Sequence, residues 1–234
     1  MYGFYDPTYL VLIPAILFTM WAQTKLRSSY AKYRQLPNQR RLTGAEAARY
    51  LLDRNGLSNI RIERVQGVLS DHFDPKNQVI RLSADIHDGT SIASVSVAAH
   101  ETGHAMQYGT NYAPLAFRNA LARPVSVVSM ASWPLLLIGI MLIAAGSYDS
   151  GNLLFNIGVI AFAAVVLFHG VTLPVELDAS RRAVKELEAT GLIYEEEVPA
   201  ARKMLTAAAM TYVAALATAL LQLIRILLIR GDRR

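Results

Sequence analysis

Four long runs of apolar residues, separated by charged segments, dominate the pattern of this chain. They extend over residues 9–22, 125–146, 152–175 and 204–223. A transmembrane helix needs about 20 apolar residues, so the second and third runs are long enough to cross a bilayer. The first run is short and holds Pro14, and the fourth is rich in Ala and Thr. The pattern predicts a mainly α-helical membrane protein with three to four transmembrane helices.

Shorter periodic patterns lie between the first two apolar runs. Thr43-Gly-Ala-Glu46 is a capping-box sequence and predicts a helix that ends near Gly56. Alternating apolar positions and turn residues predict strands and a second helix after it. These candidates are strands at residues 60–65, 68–69 and 79–82, the last two flanking the turn sequence SDHFDPKN, and a helix at residues 91–108. The segment is expected to fold as a small α+β unit.

A histidine pattern lies within the second of these helices. In the sequence VAAHETGHAM, His100 and His104 are four positions apart, and Glu101 directly follows the first histidine. Positions i and i+4 share one face of an α-helix, so both imidazoles can point at the same ion. Gly103 leaves room for the close approach of another backbone. The pattern His-Glu-x-x-His predicts a zinc-hydrolase helix.

Basic residues are distributed unevenly around the apolar runs. The SYDSGN loop between the second and third runs has no Lys or Arg. Basic residues instead follow the first run, precede the second, follow the third and precede the fourth. They include Lys25, Arg27, Lys32, Arg34, Arg118, Arg123, Arg181, Arg182, Lys185, Arg202 and Lys203. By the positive-inside rule, residues 25–123 and the region after residue 175 are cytoplasmic. The C-terminal arginines would then lie outside, unless the last segment lies along the membrane or re-enters it.

Composition narrows the classes of protein further. The chain has 234 residues, of which 53% are hydrophobic, and it contains no cysteine. The absence of cysteine excludes disulfides, cysteine-ligated zinc sites and thiol catalysis. The formal net charge is +5, but the basic residues lie beside apolar segments. Their position favours a role in membrane orientation, and no nucleic-acid partner is expected.

Two carboxylates after the third apolar run are candidates for a further zinc ligand. A catalytic zinc site has three protein ligands and one open position, so the histidine pair needs a partner. A two-span hairpin returns the chain to the cytoplasmic side at LPVELDASRR. Pro174 suits the first turn of a helix there, and Gly191 suits its end. Glu176 and Asp178 lie about 200° apart around such a helix, so only one of them is expected to face the ion.

These motifs resemble those of a known family. VAAHETGHAMQ, the upstream LSDHFDP and IRLS, and the downstream LPVELDASRRA are similar to the YugP-like family of bacterial membrane zinc metallopeptidases. The similarity covers most of the chain, including the order of the apolar segments. It implies zinc-dependent peptidase activity in the bacterial cytoplasmic membrane.

The layout also resembles, more distantly, the CAAX-protease and heat-shock membrane gluzincins. In those proteins a zinc helix, a membrane hairpin and a Glu-x-x-x-Asp helix follow one another. Aligned on that pattern, Glu176 is the third ligand and Ser180 stands in place of the Asp. The usual carboxylate support of a zinc histidine would then come from Asp178 or another group. The resemblance implies a small α+β gluzincin-like catalytic domain on the cytoplasmic side.

The resulting hypothesis is a multi-pass, membrane-embedded endopeptidase that uses Zn²⁺ at the cytoplasmic surface. His100, His104 and Glu176 are expected to bind the zinc, and Glu101 to serve as general base. Candidates for the group that stabilises the oxyanion are Tyr108, Tyr112, His72 and Arg181.

The predicted segments follow from this hypothesis. In chain order they are an N-terminal membrane anchor, a cytoplasmic catalytic region, two transmembrane helices, a third-ligand segment, and a C-terminal transmembrane or re-entrant helix. Their bounds are residues 1–24, 25–123, 124–147, 151–173, 174–203 and 204–229.

The expected partners are a protein or peptide substrate and the lipid bilayer, and a second membrane protein or a second copy of the chain is compatible with the pattern. Unfolded or membrane-attached chains are the expected substrates. The strand at residues 79–82 is interpreted as an edge strand with which an extended substrate pairs. A non-catalytic membrane adaptor with a structural zinc site is the alternative. Glu101 favours the enzyme, because only water activation requires it.

Overall fold

The computed structural model describes residues 7–68 and 70–231, without the side chains of residues 7, 230 and 231. The elements are, in chain order, a short 3-10 helix (Pro7–Leu12), α1 (Ile13–Arg34), α2 (Gly44–Arg54), β1 (Arg61–Val65), β2 (His72–Asp74), β3 (Val79–Ser83), α3 (Ala84–His87), α4 (Ile92–Gly109), α5 (Ala113–Ala144), α6 (Tyr148–Ala189) and α7 (Val198–Gly231).

The chain divides into two compact units. The helical unit comprises the described residues of Met1–Trp21, Phe117–Leu173 and Tyr212–Arg234. The α+β unit comprises Ala22–Ala116 and Pro174–Thr211, and therefore contains the sheet and the histidine helix α4. A small apolar cluster around Leu136, Phe155, Phe162 and Ile226 lies in the helical unit.

Four helices are long and apolar enough to cross a membrane. They cover Thr8–Arg34, Ala113–Ala144, Tyr148–Ala189 and Val198–Ile229. Most side chains in their apolar stretches are not covered by protein, as expected of lipid-facing helices. The prediction of a mainly helical chain with three to four candidate spans is confirmed, and the number of candidates in the described residues is four.

The third apolar run and the segment after it form one helix. Pro174 lies inside α6, so the prediction that a new helix begins there is wrong. Proline removes one backbone donor, but a break in an apolar helix would leave several polar groups without partners. Continuing the helix is therefore the less costly arrangement. The predicted stop is confirmed, because α6 ends at Ala189 and Gly191 adopts a left-handed φ of 61°.

The three strands form a sheet with β3 at its centre. β1 pairs with β3 in parallel, and β2 pairs with it in the antiparallel direction. The prediction that residues 79–82 form an edge strand is therefore wrong. Arg81, which suggested a partly exposed face, forms ion pairs with Glu63 on β1 and Asp74 on β2, at 3.3 and 3.0 Å. A central strand offers partners on both sides, so the charge fits there.

The second strand lies within the predicted turn sequence. β2 comprises His72–Asp74, and the backbone around Val68 is a bend, while Leu69 lies outside the described residues. The turn is shorter than predicted because Asp74 folds back on the chain. Its Oδ1 accepts hydrogen bonds from the backbone N–H groups of Lys76 and Asn77, at 3.0 and 3.1 Å. This local Asx turn reverses the chain directly into β3.

The core of the α+β unit supports α4. The capping box of α2 is present: the Glu46 N–H donates to Thr43 Oγ1 at 3.2 Å, and the Thr43 N–H donates to a Glu46 carboxylate oxygen at 2.8 Å. α2 and β3 pack on α4. The fully buried side chains of this core include Leu51, Leu52, Ile80, Leu82 and Val95. The predicted helix at residues 91–108 is confirmed, and Ser91 caps it by accepting the Ser94 N–H at 3.0 Å.

The central position of β3 predicts that Ile80→Pro unfolds the α+β unit. Every backbone donor of a central strand faces a partner strand, so proline there removes a ladder hydrogen bond and is not tolerated as it is on an edge strand. We expect the cooperative thermal transition of the detergent-solubilised protein to be lost. Ile80→Val is the control, because it removes one methyl group and costs about 0.5–1.5 kcal/mol. A wild-type transition in Ile80→Pro would contradict the strand order.

Candidate metal centre

The two histidines of α4 face the same point. His100 and His104 lie one helical turn apart, and their ring centroids are 4.8 Å apart with the ring planes at 82°. Only 15% and 11% of their side-chain surfaces are exposed. The two rings are therefore largely shielded from water, and each still has one nitrogen directed at a shared position.

Glu176 from α6 completes a cluster of three donors. Its Oε2 lies 3.3 Å from Nε2 of His100 and 3.5 Å from Nε2 of His104. The Glu176 side chain is 3% exposed. One donor atom from each of the three residues lies within 4.8 Å of the others. Of the two carboxylates that the sequence left open, the structure brings Glu176 to the histidines.

Gly103 sets the distance between α4 and α6. A Cβ atom on Gly103 would lie 2.5 Å from the carbonyl oxygen of Ala179, which is closer than real Cβ contacts. Ala179 is on α6, three residues after Glu176. The expectation that Gly103 admits another backbone is confirmed. Because this contact lies between the histidine positions, it brings the carboxylate of α6 within reach of both imidazoles.

Each histidine is held from behind by a neutral side chain. Nδ1 of His104 lies 3.0 Å from Oε1 of Gln107, and Nδ1 of His100 lies 3.1 Å from Oγ of Ser180. Ser180 is the residue that replaces the Asp of the gluzincin pattern, so a hydroxyl stands there in place of a carboxylate. With Nδ1 of both rings engaged, Nε2 of both rings is directed at Glu176.

Asp178 lies next to this arrangement and contacts neither histidine. Its Oδ2 accepts hydrogen bonds from Nε2 of Gln107 at 2.9 Å and from Nε of Arg182 at 2.7 Å. The sequence raised Asp178 as a source of carboxylate support. In the structure that support reaches His104 indirectly, through the Gln107 amide.

The charge of Glu101 influences the pKa of His104. Burial alone would lower the pKa of the His104 imidazole, but the hydrogen bond to Glu176 and the negative charges of Glu101 and Glu176 outweigh it and raise that pKa. Glu101 itself is 7% exposed. The carboxylate of the His-Glu-x-x-His pattern is thus buried next to the histidines, and its charge influences the pKa of His104.

Three of the four oxyanion candidates, Tyr108, Tyr112 and His72, have other contacts. The Tyr108 ring packs edge-on against Phe73, and Arg182 lies over the Tyr112 ring. His72 contacts the Ser70 carbonyl and Arg81. His72 and Phe73 point to opposite faces of the sheet because side chains alternate along a strand, and Phe73 is the one that contacts α4. The geometry singles out none of these residues as the oxyanion-stabilising group.

Two clefts flank α6 in the α+β unit. One of about 470 Å³ is lined by charged side chains that include Asp178, Arg182 and Lys185. The other, of about 460 Å³, is mainly apolar and includes Leu177 and Ser180. Arg181, the fourth oxyanion candidate, lines both of them. The charged cleft thus reaches Asp178, which contacts Gln107, and the apolar cleft reaches Ser180, which contacts His100. His100, His104 and Glu176 line neither of these two clefts.

Comparison with known proteins identifies the family. Residues 8–231 match the model of a family described as "Putative neutral zinc metallopeptidase". The chain is also 42% identical to the "Putative membrane protease YugP" of Bacillus subtilis (strain 168). The alignment spans 217 residues and covers 93% of each of the two chains.

The chain belongs to this zinc metallopeptidase family. The resemblance seen in its motifs is confirmed. With four apolar helices, it is a membrane member of that family. No solved structure matches the chain significantly.

The donor set of this family member fits a zinc ion. Zinc prefers imidazole nitrogen and carboxylate oxygen at about 2.0–2.1 Å, so two ligand atoms of a tetrahedral site lie about 3.3 Å apart. The separations of 3.3 and 3.5 Å from Glu176 to the two imidazoles agree with that geometry. The hydrogen bonds at Nδ1 leave Nε2 of each ring for the metal.

Gln107, which contacts His104, is not among the site residues that the sequence predicts. It lies three positions after His104, a spacing at which side chains on one helix meet, so the signal was present. The sequence does not single it out, because glutamine is uncharged and its contacts with α6 depend on the fold.

His169, the ionisable residue of the third apolar run, belongs to the helical unit.

The contact at Gly103 predicts that Gly103→Ala weakens zinc binding. The added Cβ would push α4 from α6 and separate Glu176 from the histidines, so we expect an affinity loss of at least about tenfold, measured by chelator competition. Gly109→Ala is the matched control on the same helix. Its Cβ would meet only the end of the Leu57 side chain, which can rotate. Equal affinities in the two variants would contradict the steric argument.

Proposed function

We propose that this chain is a membrane-embedded zinc endopeptidase of gluzincin type, in which His100, His104 and Glu176 hold the zinc. The observation that carries the proposal is the convergence of three donor atoms from two helices, with separations of 3.3 and 3.5 Å, beside a buried Glu101. Two of the proposed ligands, His104 and Glu176, are 72 residues apart in the sequence. Family membership gives this geometry its chemical context.

In the proposed mechanism the histidines of α4 bind the zinc, and Glu101 on the same helix transfers a proton. When bound, zinc would lower the pKa of a coordinated water and polarise the scissile carbonyl. Glu101 accepts the proton of the attacking water and passes it to the nitrogen of the leaving amine. Glu101 is buried and directly follows His100 on α4, which places its carboxylate next to the proposed ligands.

The alternative is a non-catalytic adaptor with a structural zinc. Structural zinc sites are usually closed by four protein ligands, whereas catalytic sites keep one position open. In the part of the chain that the structure describes, the cluster has three ligands. The presence of Glu101, which is not needed to hold a metal, also favours the enzyme.

We further propose that the centre acts at the cytoplasmic surface of the membrane. The support is the crowding of Lys and Arg in residues 25–123 and after residue 175, and their absence from SYDSGN. Glu176 lies on a helix that continues directly from an apolar run. A centre in that position suits unfolded or membrane-attached protein chains as substrates.

A substrate strand needs a free sheet edge, and β3 does not provide one. β2 is an edge strand of the sheet, and it contacts α4, where the Phe73 and Tyr108 rings lie 5.8 Å apart. An extended peptide that pairs with a strand gains main-chain hydrogen bonds. The substrate-pairing role expected for residues 79–82 therefore passes, in this proposal, to His72–Asp74.

The proposed mechanism predicts that Glu101→Gln abolishes cleavage while zinc stays bound. The change removes the proton acceptor and retains the shape, so the cleavage rate should fall by about 10²- to 10⁴-fold. The measurements are metal analysis and cleavage of an unfolded fluorogenic protein by the purified full-length chain.

Two variants serve as references for this experiment. Glu195→Gln makes the same change at an exposed position and should cleave at the wild-type rate. Glu176→Ala should lose zinc together with activity, because it removes a proposed ligand. Wild-type cleavage by Glu101→Gln would remove Glu101 as the base.

The proposed orientation predicts the accessibility of two engineered thiols. Because the chain has no cysteine, Ser150→Cys and Ser58→Cys each carry one thiol, both at exposed positions. In intact cells a membrane-impermeant maleimide should label Ser150→Cys, and it should label Ser58→Cys only after permeabilisation. The reverse pattern would place the zinc centre on the outer surface and leave its chemistry unchanged.

A further inference from the structure

The Gln107 side chain contacts three groups around the donor cluster. It is completely buried, at 0% exposure. Its Nε2 donates to the Val175 carbonyl at 2.8 Å and to Oδ2 of Asp178 at 2.9 Å, while its Oε1 faces Nδ1 of His104 at 3.0 Å. Every polar atom of the amide is therefore engaged, and each contact restricts the orientation of the group.

The two donor bonds determine which end of the amide faces His104. The Val175 carbonyl and the Asp178 carboxylate only accept hydrogen bonds, so they must face the NH₂ group. Oε1 is then the atom next to His104, and it can only accept. Nδ1 of His104 must carry the proton, which leaves the lone pair at Nε2, the nitrogen that faces Glu176.

The same side chain links the two helices that carry the ligands. Gln107 and His104 are on α4, whereas Val175 immediately precedes Glu176 on α6. The bond to the Val175 carbonyl fixes the backbone one residue before Glu176. One amide thus acts on the tautomer of His104 and on the position of Glu176.

Asp178 and Arg182 hold the outer end of this arrangement. Arg182 donates to Asp178 Oδ2 at 2.7 Å, and its guanidinium also lies 3.4 Å from Thr110 Oγ1 and over the Tyr112 ring. The Asp178 side chain is 19% exposed and the Arg182 side chain 29%. A partly exposed ion pair in the wall of the charged cleft therefore orients a buried amide.

We propose that Gln107 is a positioning residue for the zinc centre, and that the Asp178–Arg182 pair sets its orientation. The inference rests on the proposed function only in taking His104 and Glu176 as ligands. Gln107 would select the metal-binding tautomer of His104 without adding charge to the site. A carboxylate performs this task behind many zinc histidines, and here the negative charge lies one residue further out.

Gln107→Met tests the first part of the proposal. Methionine has a similar length and fits buried space, but it neither accepts the His104 proton nor bonds to Val175. We expect zinc affinity, measured by chelator competition on the full-length protein, to fall by about 10- to 100-fold. Ser96→Ala is the matched control: Ser96 is buried on the same helix, but its hydroxyl bonds only within the helix, to the Ile92 carbonyl. It should retain wild-type zinc affinity.

A pair of substitutions tests the role of Asp178. In Gln107→Glu a carboxylate would face Asp178, and in Asp178→Asn the acceptor of the Gln107 amide would be weakened. Each variant alone should bind zinc less tightly. In the double variant the amide introduced by Asp178→Asn can donate to the carboxylate introduced by Gln107→Glu. The double variant therefore has the same net charge as the wild type and again has a hydrogen bond between positions 107 and 178. Its zinc affinity should recover to above that of Gln107→Glu alone.

The outcomes separate this inference from the proposed function. If the wild-type protein binds zinc and cleaves, but Gln107→Met binds zinc with wild-type affinity, the positioning role is wrong and the peptidase proposal stands. Additive losses in the double variant would remove Asp178 from the proposal. If the wild-type protein binds no zinc, the proposed function itself fails.

Discussion

The structure of the candidate metal centre depends on how closely two helices approach each other. At Gly103 the backbone of α6 occupies the space that a side chain would need, with the Ala179 carbonyl 2.5 Å from a Cβ position. The histidine pair is on one helix and Glu176 is on the other, one turn from the contact. Donor atoms 3.3 and 3.5 Å apart require this approach, so a missing Cβ is a condition for the cluster.

Close approach also buries polar groups, and the surrounding residues compensate for that cost. A buried imidazole or amide is destabilising unless its donors and acceptors are paired. Ser180 and Gln107 pair with the two Nδ1 atoms, and Asp178 pairs with Gln107. The resulting network links α4 to α6 and orients the donor atoms. The packing of α2 and β3 on the other side of α4 fixes the helix itself.

The differences between prediction and structure have identifiable physical causes. Pro174 suggested a helix start, but the helix continues through it. Proline removes one backbone hydrogen bond, whereas a break in an apolar helix would leave several backbone groups without partners. Arg81 suggested an exposed edge, whereas acidic residues on both neighbouring strands accommodate it at the centre. His72 drew attention as a histidine in a conspicuous turn, and strand alternation places it on the face away from α4. In each case the neighbours of the residue, and not its own chemistry, determine its place in the structure.

Features that depend on local spacing could be predicted without any knowledge of the fold. Helical periodicity placed His100, Glu101 and His104 together, the apolar runs defined the membrane helices, and the capping box began α2. The approximate angle between Glu176 and Asp178 limited the third donor to one of them, and the family pattern indicated Glu176. Other features emerged only from packing: the central place of β3, the contact of Gly103 with Ala179, and the orientation of Gln107 between His104, Val175 and Asp178. These features join residues far apart in the chain, and local sequence does not determine which distant residues meet.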